Sequence, residues 1–105
     1  MSAAGNEDYR TVLVLMKGTD ADATLDALEG SGQNINVSDE GPFWKLRSTG
    51  DIYVDMAAVE EELGGPITMG KWLGTMTSFV GFAEKSDSHF AVRAERGVAV
   101  EQSGG

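Results

Sequence analysis

The chain has 105 residues, enough for one compact domain and too few for two of ordinary size. Seventeen acidic residues against eight basic ones give a formal net charge of −9, and no basic patch suited to nucleic acid is visible. The absence of cysteine excludes disulfides and thiolate metal ligands. The sequence begins without the features of a signal peptide and holds no apolar run long enough to span a membrane, so we expect a cytoplasmic protein.

The beginning of the chain predicts a strand followed by a helix. Thr11–Met16 is a continuous β-branched and aliphatic run, typical of a strand that is buried on both faces. Thr19 and Asp22 have a spacing that can cap the first turn of a helix, and Gly30 is placed to end that helix in a left-handed conformation. The buried side of this helix is predicted to carry Ala21, Leu25 and Leu28.

Three short strands are predicted after the glycine-rich break that follows this helix. The first contains Ile35 and Val37, which alternate with polar residues, and a turn at residues 40–42 follows it. Residues 43–47 alternate in the same way, with Trp44 and Leu46 on one face and basic residues on the other. Residues 52–54 form the third strand, which has two inward positions.

A second helix and two final strands complete the predicted fold. Asp55 caps the helix, whose buried stripe is Met56, Val59 and Leu63. Residues 64–66 (Gly-Gly-Pro) end it, and residues 68–73 form a short helical turn. A long two-faced strand over residues 75–83 and a turn at residues 86–88 lead to the closing strand, whose inward residues are Phe90, Val92 and Ala94.

The predicted element order, β-α-β-β-β-α-β-β, belongs to the α+β class: one small domain with helices packed on a mixed or antiparallel sheet. We expect this domain to occupy residues 10–96, between a flexible N-terminal tail (residues 1–9) and a flexible C-terminal tail (residues 97–105). A monomer is the simplest expectation for the free protein.

A search for catalytic or ligand-binding residues yields no convincing site. His89 is the only histidine, and its position beside Asp87 and Ser88 at a hairpin is better explained as turn chemistry than as a catalytic pair. Asp20 and Asp22 lack the spacing of a calcium loop and suit a helix start. No nucleotide-binding glycine motif is present. We therefore expect no catalytic residue, cofactor or metal site.

Two segments are candidates for binding another protein. Glu60, Glu61 and Glu62 cluster near a helix C-terminus, where the macrodipole disfavours negative charge; they form either a solvated helix face or a surface for a basic partner. The strand at residues 75–83 carries a large aromatic on each face. It is either a central strand buried on both sides or a strand with one accessible apolar face, and exposed apolar patches usually mark binding sites.

The segment from Phe43 to Val92 resembles the effector (coupling or regulatory) proteins of bacterial soluble multicomponent di-iron monooxygenases, which act with methane, phenol, toluene, alkene and propane monooxygenases. The residues that carry the resemblance are Trp44-Lys45-Leu46-Arg47, Gly50-Asp51-Ile52, Val59-Glu60-Glu61-Glu62-Leu63-Gly64-Gly65-Pro66, Met69, Leu73, Thr77-Ser78-Phe79-Val80-Gly81, Asp87 and Phe90-Ala91-Val92. Gly65 stands where many members carry a basic residue.

The resemblance implies a non-catalytic, cofactor-free protein that docks on the di-iron subunit of a hydroxylase. There it would regulate substrate and oxygen access and couple NADH oxidation to hydroxylation or epoxidation. The implied docking residues are Met56, Val59, Glu60, Glu61, Glu62, Gly64, Gly65, Pro66, Met69, Thr75, Met76, Thr77, Ser78, Phe79 and Gly81.

Two other functional classes remain open, a ligand-sensing α+β module and an adaptor of an unrelated complex. A neighbouring gene for a hydroxylase with paired Glu-x-x-His motifs would favour the effector interpretation over both.

Overall fold

A computed structural model describes residues 9–95 of the chain, which form seven strands and three helices. The strands are β1 (Thr11–Met16), β2 (Asn36–Asp39), β3 (Phe43–Ser48), β4 (Ile52–Asp55), β5 (Met76–Val80), β6 (Phe82–Lys85) and β7 (His89–Arg93). The helices are α1 (Thr19–Ser31), α2 (Met56–Leu63) and α3 (Met69–Leu73). The predicted α+β class is confirmed. The predicted flexible tails lie outside the described residues, except for Tyr9, and the proposed domain boundaries stay a prediction.

The strands form two antiparallel sheets. The first sheet has the order β2-β3-β1-β5, and the second sheet has the order β4-β7-β6. Their inner faces and the helices enclose one core, whose largest fully buried apolar side chains are Trp72, Leu13, Leu15, Leu46, Ile52, Val54, Val59 and Val92. Among residues 9–95, no helix has the length and apolar character needed to cross a bilayer.

Trp72 of α3 connects this core to α1. Its indole Nε1 donates to Thr24 Oγ1 at 2.9 Å, and the Thr24 hydroxyl donates to the carbonyl of Asp20 at 2.8 Å. Its ring lies 5.2 Å from that of Phe90 in β7. Since Trp72 and Thr24 are both fully buried, this pair satisfies two polar groups that would each be costly to leave without a partner.

Helix α1 begins at Thr19, as predicted, but its predicted cap and its predicted end are both wrong. The N-cap is Gly18, and no side chain caps the first turn, so the Thr19 and Asp22 pair does not form a capping box. Gly30 lies within the helix, which continues to Ser31, and the left-handed residue is Gly32, with φ of 80°. The predicted buried side is confirmed: Ala21 and Leu28 are buried, and Leu25 packs against the core.

Three details of the predicted strands are also wrong. β1 is not buried on both faces, because its alternate residues Val12 and Val14 are half-buried and Met16 is 47% exposed. β2 begins after Ile35, and its Val37 is 46% exposed. β7 ends at Arg93, so Ala94 follows the closing strand and is not an inward residue of it. The apolar content of these segments suggested more burial than the small domain provides.

The long strand predicted over residues 75–83 is instead two strands in different sheets. β5 is the edge of the first sheet and β6 is the edge of the second, with Gly81 between them. Gly81 has φ of 127°, and a Cβ placed there would lie 2.6 Å from Val92 Cγ1 and 2.9 Å from the Arg93 carbonyl oxygen. Only glycine fits this corner, which directs the chain from one sheet to the other.

Candidate docking surface

Helix α2 is held by its ends and by its buried side. Asp55 caps it, since the carboxylate accepts from the backbone N–H of Ala57 at 3.2 Å, and Gly64 ends it with φ of 80°. Met56 and Val59 are 4% and 0% exposed. Of the predicted docking residues, these two therefore anchor the helix in the core and present no surface for a partner in this conformation.

The three acids at the end of α2 do not share one role. Glu60 turns back towards the chain, and its Oε2 accepts from the backbone N–H of Ile67 at 3.0 Å, which bridges the turn at Gly64, Gly65 and Pro66. Glu61 and Glu62 are exposed and make no hydrogen bond or ion pair with any residue between 9 and 95. These two carboxylates are the ones available to a partner.

A groove of about 280 Å³ lies between α1 and α2 beside this acidic end. Asp26 and Asp55 line it together with Glu61 and Glu62, and Tyr53 is the aromatic residue in its wall. A larger groove of about 480 Å³ lies on the other side of α1, where Leu25, Ile35, Val37 and Trp44 give it an apolar lining. Neither groove holds a recognisable catalytic constellation.

The chain between α2 and β5 brings the remaining predicted residues together. Gly64 and Pro66 are exposed, Gly65 is half-buried, and Met69 packs against the core from the first turn of α3. Thr68 caps this short helix by accepting from the backbone N–H of Lys71 at 3.1 Å.

Strand β5 is an exposed edge strand, so the alternative of a central strand buried on both sides is wrong. Thr75 and Met76 at its start are half-buried, whereas Thr77, Ser78 and Phe79 are exposed. Its pairing with β1 shifts at Thr77, which is the extra residue of a β-bulge. The Thr77 hydroxyl donates to the carbonyl of Val14 at 3.2 Å, which fixes the bulge.

Among the exposed apolar residues near β5, Val80 and Phe82 belong to the segment for which an accessible apolar face was one of two alternatives, whereas Met16 was missed by the sequence analysis. Val80 and Phe82 are 59% and 42% exposed on either side of the Gly81 corner, and Met16 at the end of β1 is 47% exposed. The signal that could have identified Met16 and its neighbours was the cross-strand register, which a single sequence does not reveal.

The outward face of the second sheet carries a different kind of surface, made of charges that satisfy one another. Glu84 accepts from Arg93 Nη2 at 2.9 Å and lies 2.7 Å from His89 Nε2, while Arg93 also pairs with Asp51 at 3.1 Å. The hydrogen bonds from Arg93, and secondarily from His89, lower the pKa of Glu84 to about 2. The hydrogen bonds from Arg93 to Glu84, and secondarily to Asp51, raise the pKa of Arg93.

His89 takes part in this surface and in the adjoining turn. Its Nδ1 lies 2.9 Å from Ser86 Oγ, and its ring stacks on Tyr53 with centroids 4.9 Å apart. The interpretation of His89 as a turn residue fits this geometry, although its hydroxyl partner is Ser86 and not the adjacent Ser88. Within residues 9–95, no group of three or more histidine or carboxylate side chains is arranged to hold a metal ion.

Comparison with known proteins identifies a family and a curated relative. The sequence model described as the MmoB/DmpM family matches residues 10–93. Methane monooxygenase regulatory protein B from Methylosinus trichosporium is 30% identical over 95 residues, which cover 86% of this chain and 69% of that protein.

Solved structures with the same fold agree with this relationship. A chain in a structure of the phenol hydroxylase–regulatory protein complex superimposes with a TM-score of 0.71 at 16% identity, covering 79% of this chain and 95% of that one. The structure of the soluble methane monooxygenase regulatory protein B gives a TM-score of 0.62 at 24% identity, covering 84% of this chain and 67% of that one. At these identities the likeness establishes the fold alone.

Proposed function

Because the chain belongs to the MmoB/DmpM family, we propose that it is the non-catalytic regulatory component of a bacterial multicomponent monooxygenase. In this role it docks on the di-iron hydroxylase component and works in the cytoplasm, where NADH drives the reaction. The observation that carries the proposal is the family match over residues 10–93, which spans nearly all of the described fold. A curated relative named as a regulatory protein of methane monooxygenase supports it.

The proposed docking surface consists of the exposed end of α2, the turn that follows it, and β5. Glu61 and Glu62 supply carboxylates without partners among the described residues, and Thr77 and Ser78 supply small hydroxyl side chains on an exposed edge. Small side chains let another backbone approach closely. Val80 adds apolar area at the same edge, where 59% of it is exposed.

The regulatory effect follows from differential binding. A protein without reacting groups changes the hydroxylase only by binding one of its conformations more tightly than another. A tenfold preference corresponds to about 1.4 kcal/mol, which a few well-packed side chains can supply. We propose that the favoured state admits substrate and oxygen to the di-iron site together, so that more of the NADH consumed yields oxygenated product.

A bulky side chain at the bulge of β5 tests the docking surface. Thr77→Trp should leave the fold intact, because Thr77 is exposed, and should lower hydroxylase turnover about tenfold by displacing the partner surface. Thr77→Val is the matched control, since it also loses the hydrogen bond to Val14 but keeps the size of the side chain. Full turnover and undiminished binding with Thr77→Trp would count against this docking surface.

A ligand-sensing function is the alternative, favoured by the apolar groove of about 480 Å³ beside α1. In that case small apolar molecules should raise the melting temperature of the purified protein, and a Trp44→Ala variant should lose the response. A hydroxylase encoded beside this chain, binding it with no added ligand, supports the regulatory function instead.

A further inference from the structure

The outward face of the first sheet is a second feature of the molecule that the sequence does not reveal. In β1, Leu13 and Leu15 point into the core, so Val12, Val14 and Met16 lie on the opposite face. The antiparallel register places Val80 of β5 beside Val12, and Ser78 beside Val14. This arrangement continues the proposed docking strand into the centre of the sheet.

The same register adds one aromatic and two cationic residues to this face. Phe43 pairs with Met16, Lys45 pairs with Val14, and Arg47 pairs with Val12 in the β1–β3 ladder. The outward face therefore presents an aliphatic strip with a basic border. The strip consists of Val12, Val14, Met16 and Val80, with the aromatic Phe43 beside Met16, and it is most exposed at Val80 (59%) and Met16 (47%).

The basic border lacks carboxylate partners, although the chain has an excess of acids. Among residues 9–95, neither Lys45 nor Arg47 makes an ion pair, and Arg47 instead donates to the Asn36 side-chain oxygen at 3.1 Å and lies over the Tyr9 ring. Several other cations are paired, namely Lys17 with Asp39, Lys71 with Asp20, and Arg93 with Glu84 and Asp51, whereas Lys85 of β6 has no ion pair among residues 9–95. Two unpaired cations beside exposed aliphatic side chains complement an apolar surface that carries carboxylates.

We propose that this outward face, made of the aliphatic strip and the Lys45–Arg47 border, binds the hydroxylase, on a hydroxylase surface that is apolar and flanked by carboxylates. The inference rests on the proposed regulatory function and specifies which face of β5 meets the partner. Ser78 and Val80 point to this face, whereas Met76 and Phe79 point towards the core side, where Phe79 contacts Phe90 edge-on at 6.3 Å.

Burial of the strip would stabilise the complex through the hydrophobic effect, and the cations would select the orientation. The gain is roughly proportional to the apolar area that is removed from water. Charged residues at the border of an interface act mainly on association rate and specificity, and their effect weakens with salt. The two components of the surface therefore differ in the kinetic constants that they change.

A pair of matched substitutions tests the aliphatic strip. Met16→Lys places a charge on the outward face, and Val37→Lys places the same charge at 46% exposure on the other face of the same sheet. Binding of the purified hydroxylase encoded beside this chain should weaken about tenfold for Met16→Lys and less than about twofold for Val37→Lys. Equal losses, or none for Met16→Lys, would overturn the inference.

A charge reversal tests the basic border independently. Lys45→Glu should slow association with the hydroxylase about tenfold at low salt, and the difference should shrink as salt is added. Lys85→Glu is the control, because Lys85 is an exposed cation of β6 that also lacks an ion pair among residues 9–95. An equal effect of both variants would show that the association rate depends on net charge and not on the position of Lys45, which would overturn the role of the border.

Other occupants of the face give distinct results. A wild-type dimer in sedimentation that Met16→Lys converts to a monomer would assign the face to a second copy and overturn the inference. A second alternative is that the chain's own N-terminus covers the face. In that case deletion of residues 1–8 should increase the contact of the Met16 methyl with a paramagnetic cosolute in NMR, and this result would also overturn the inference. Failure of the wild-type protein to bind the hydroxylase at all contradicts the proposed function itself.

Discussion

The outward faces of the two sheets differ in whether their charged side chains find partners within the protein. On the second sheet, Arg93 is shared by Glu84 and Asp51, and Tyr53 stacks on His89. These side chains cover Ala91, which is fully buried although it lies on the outward side of β7, opposite Tyr53 and Glu84. The charges of that face are satisfied by its own residues, although Phe82, which pairs with Arg93 on the same face, is 42% exposed.

The charges on the outward face of the first sheet are not satisfied in this way. Lys45 and Arg47 find no carboxylate within residues 9–95, and Val80 and Met16 stay about half exposed. A polar face that satisfies itself contributes to stability, whereas an apolar face with unpaired charges contributes little until a partner covers it. This difference supports the proposal that the outward face of the first sheet binds the partner.

Gly81 connects the two sheets, and changing it should have the largest effect. In Gly81→Ala the new Cβ meets Val92 Cγ1 and the Arg93 carbonyl oxygen, at a positive φ that alanine adopts at a cost. We expect a loss of about 3 kcal/mol in the free energy of unfolding, measured with urea. Gly70→Ala in α3, where a Cβ meets nothing within 4 Å, should be neutral or slightly stabilising. Equal stability of both variants would contradict the account of the corner.

Glu84→Gln should lower the stability that the outward face of the second sheet contributes, without changing the affinity for the hydroxylase. The folded-state pKa of about 2 lies below the ordinary value of 4.5, so the stability that Glu84 contributes is present above pH 4.5 and is lost as the pH falls towards 2. The variant should be less stable at pH 7, and its free energy of unfolding should change less between pH 5 and 2 than that of the wild-type protein. Glu29→Gln, at an exposed acid of α1, is the control. A parallel loss of hydroxylase affinity would contradict the separation of the two faces.

Substitution of Glu61 and Glu62 by lysine tests whether the docking surface extends to α2, which is part of neither of the two outward faces compared above. Stability should be unchanged or rise by a few tenths of a kcal/mol, since cations suit a helix C-terminus. Hydroxylase binding should weaken several-fold if these carboxylates meet a basic surface. Unchanged affinity would restrict the docking surface to β5 and the first sheet.

Asn36→Asp should produce the smallest effect, because it gives Arg47 an internal partner in almost the same geometry. Stability should rise by about 0.5 kcal/mol or less, as for other exposed ion pairs. Hydroxylase binding should weaken two- to threefold, because Arg47 becomes less available. In the Arg47→Gln background the same change should have no effect on binding, and a persistent effect there would exclude competition for Arg47.

Local patterns predicted most of the fold, and non-local contacts account for the errors. The cap at Asp55, the end of α2 at Gly64 and the short helical turn at residues 68–73 depend on neighbouring residues, and the structure has α2 and α3 where they were expected. The break at Gly81 depends on Val92 and Arg93, which are adjacent only after folding. A continuous run such as residues 75–83 carries no sign that its two halves belong to different sheets.

The docking surface was predictable in part for the same reason. The docking residues that the resemblance implies in β5 and α2 stay a prediction, but exposure is a property of the fold, and the structure places Met56 and Val59 in the core. The cationic border could not be recognised from sequence, because Lys45 and Arg47 gain their relation to Val14 and Val12 only through the β1–β3 register.

The most direct test of the central claim is the yield of oxygenated product per NADH consumed by the hydroxylase and its reductase as this protein is added. The account predicts that the yield rises and saturates at a fixed ratio of this protein to hydroxylase, while the protein alone produces nothing. A yield that stays constant while binding is demonstrated, or product formed by the isolated chain, would contradict it.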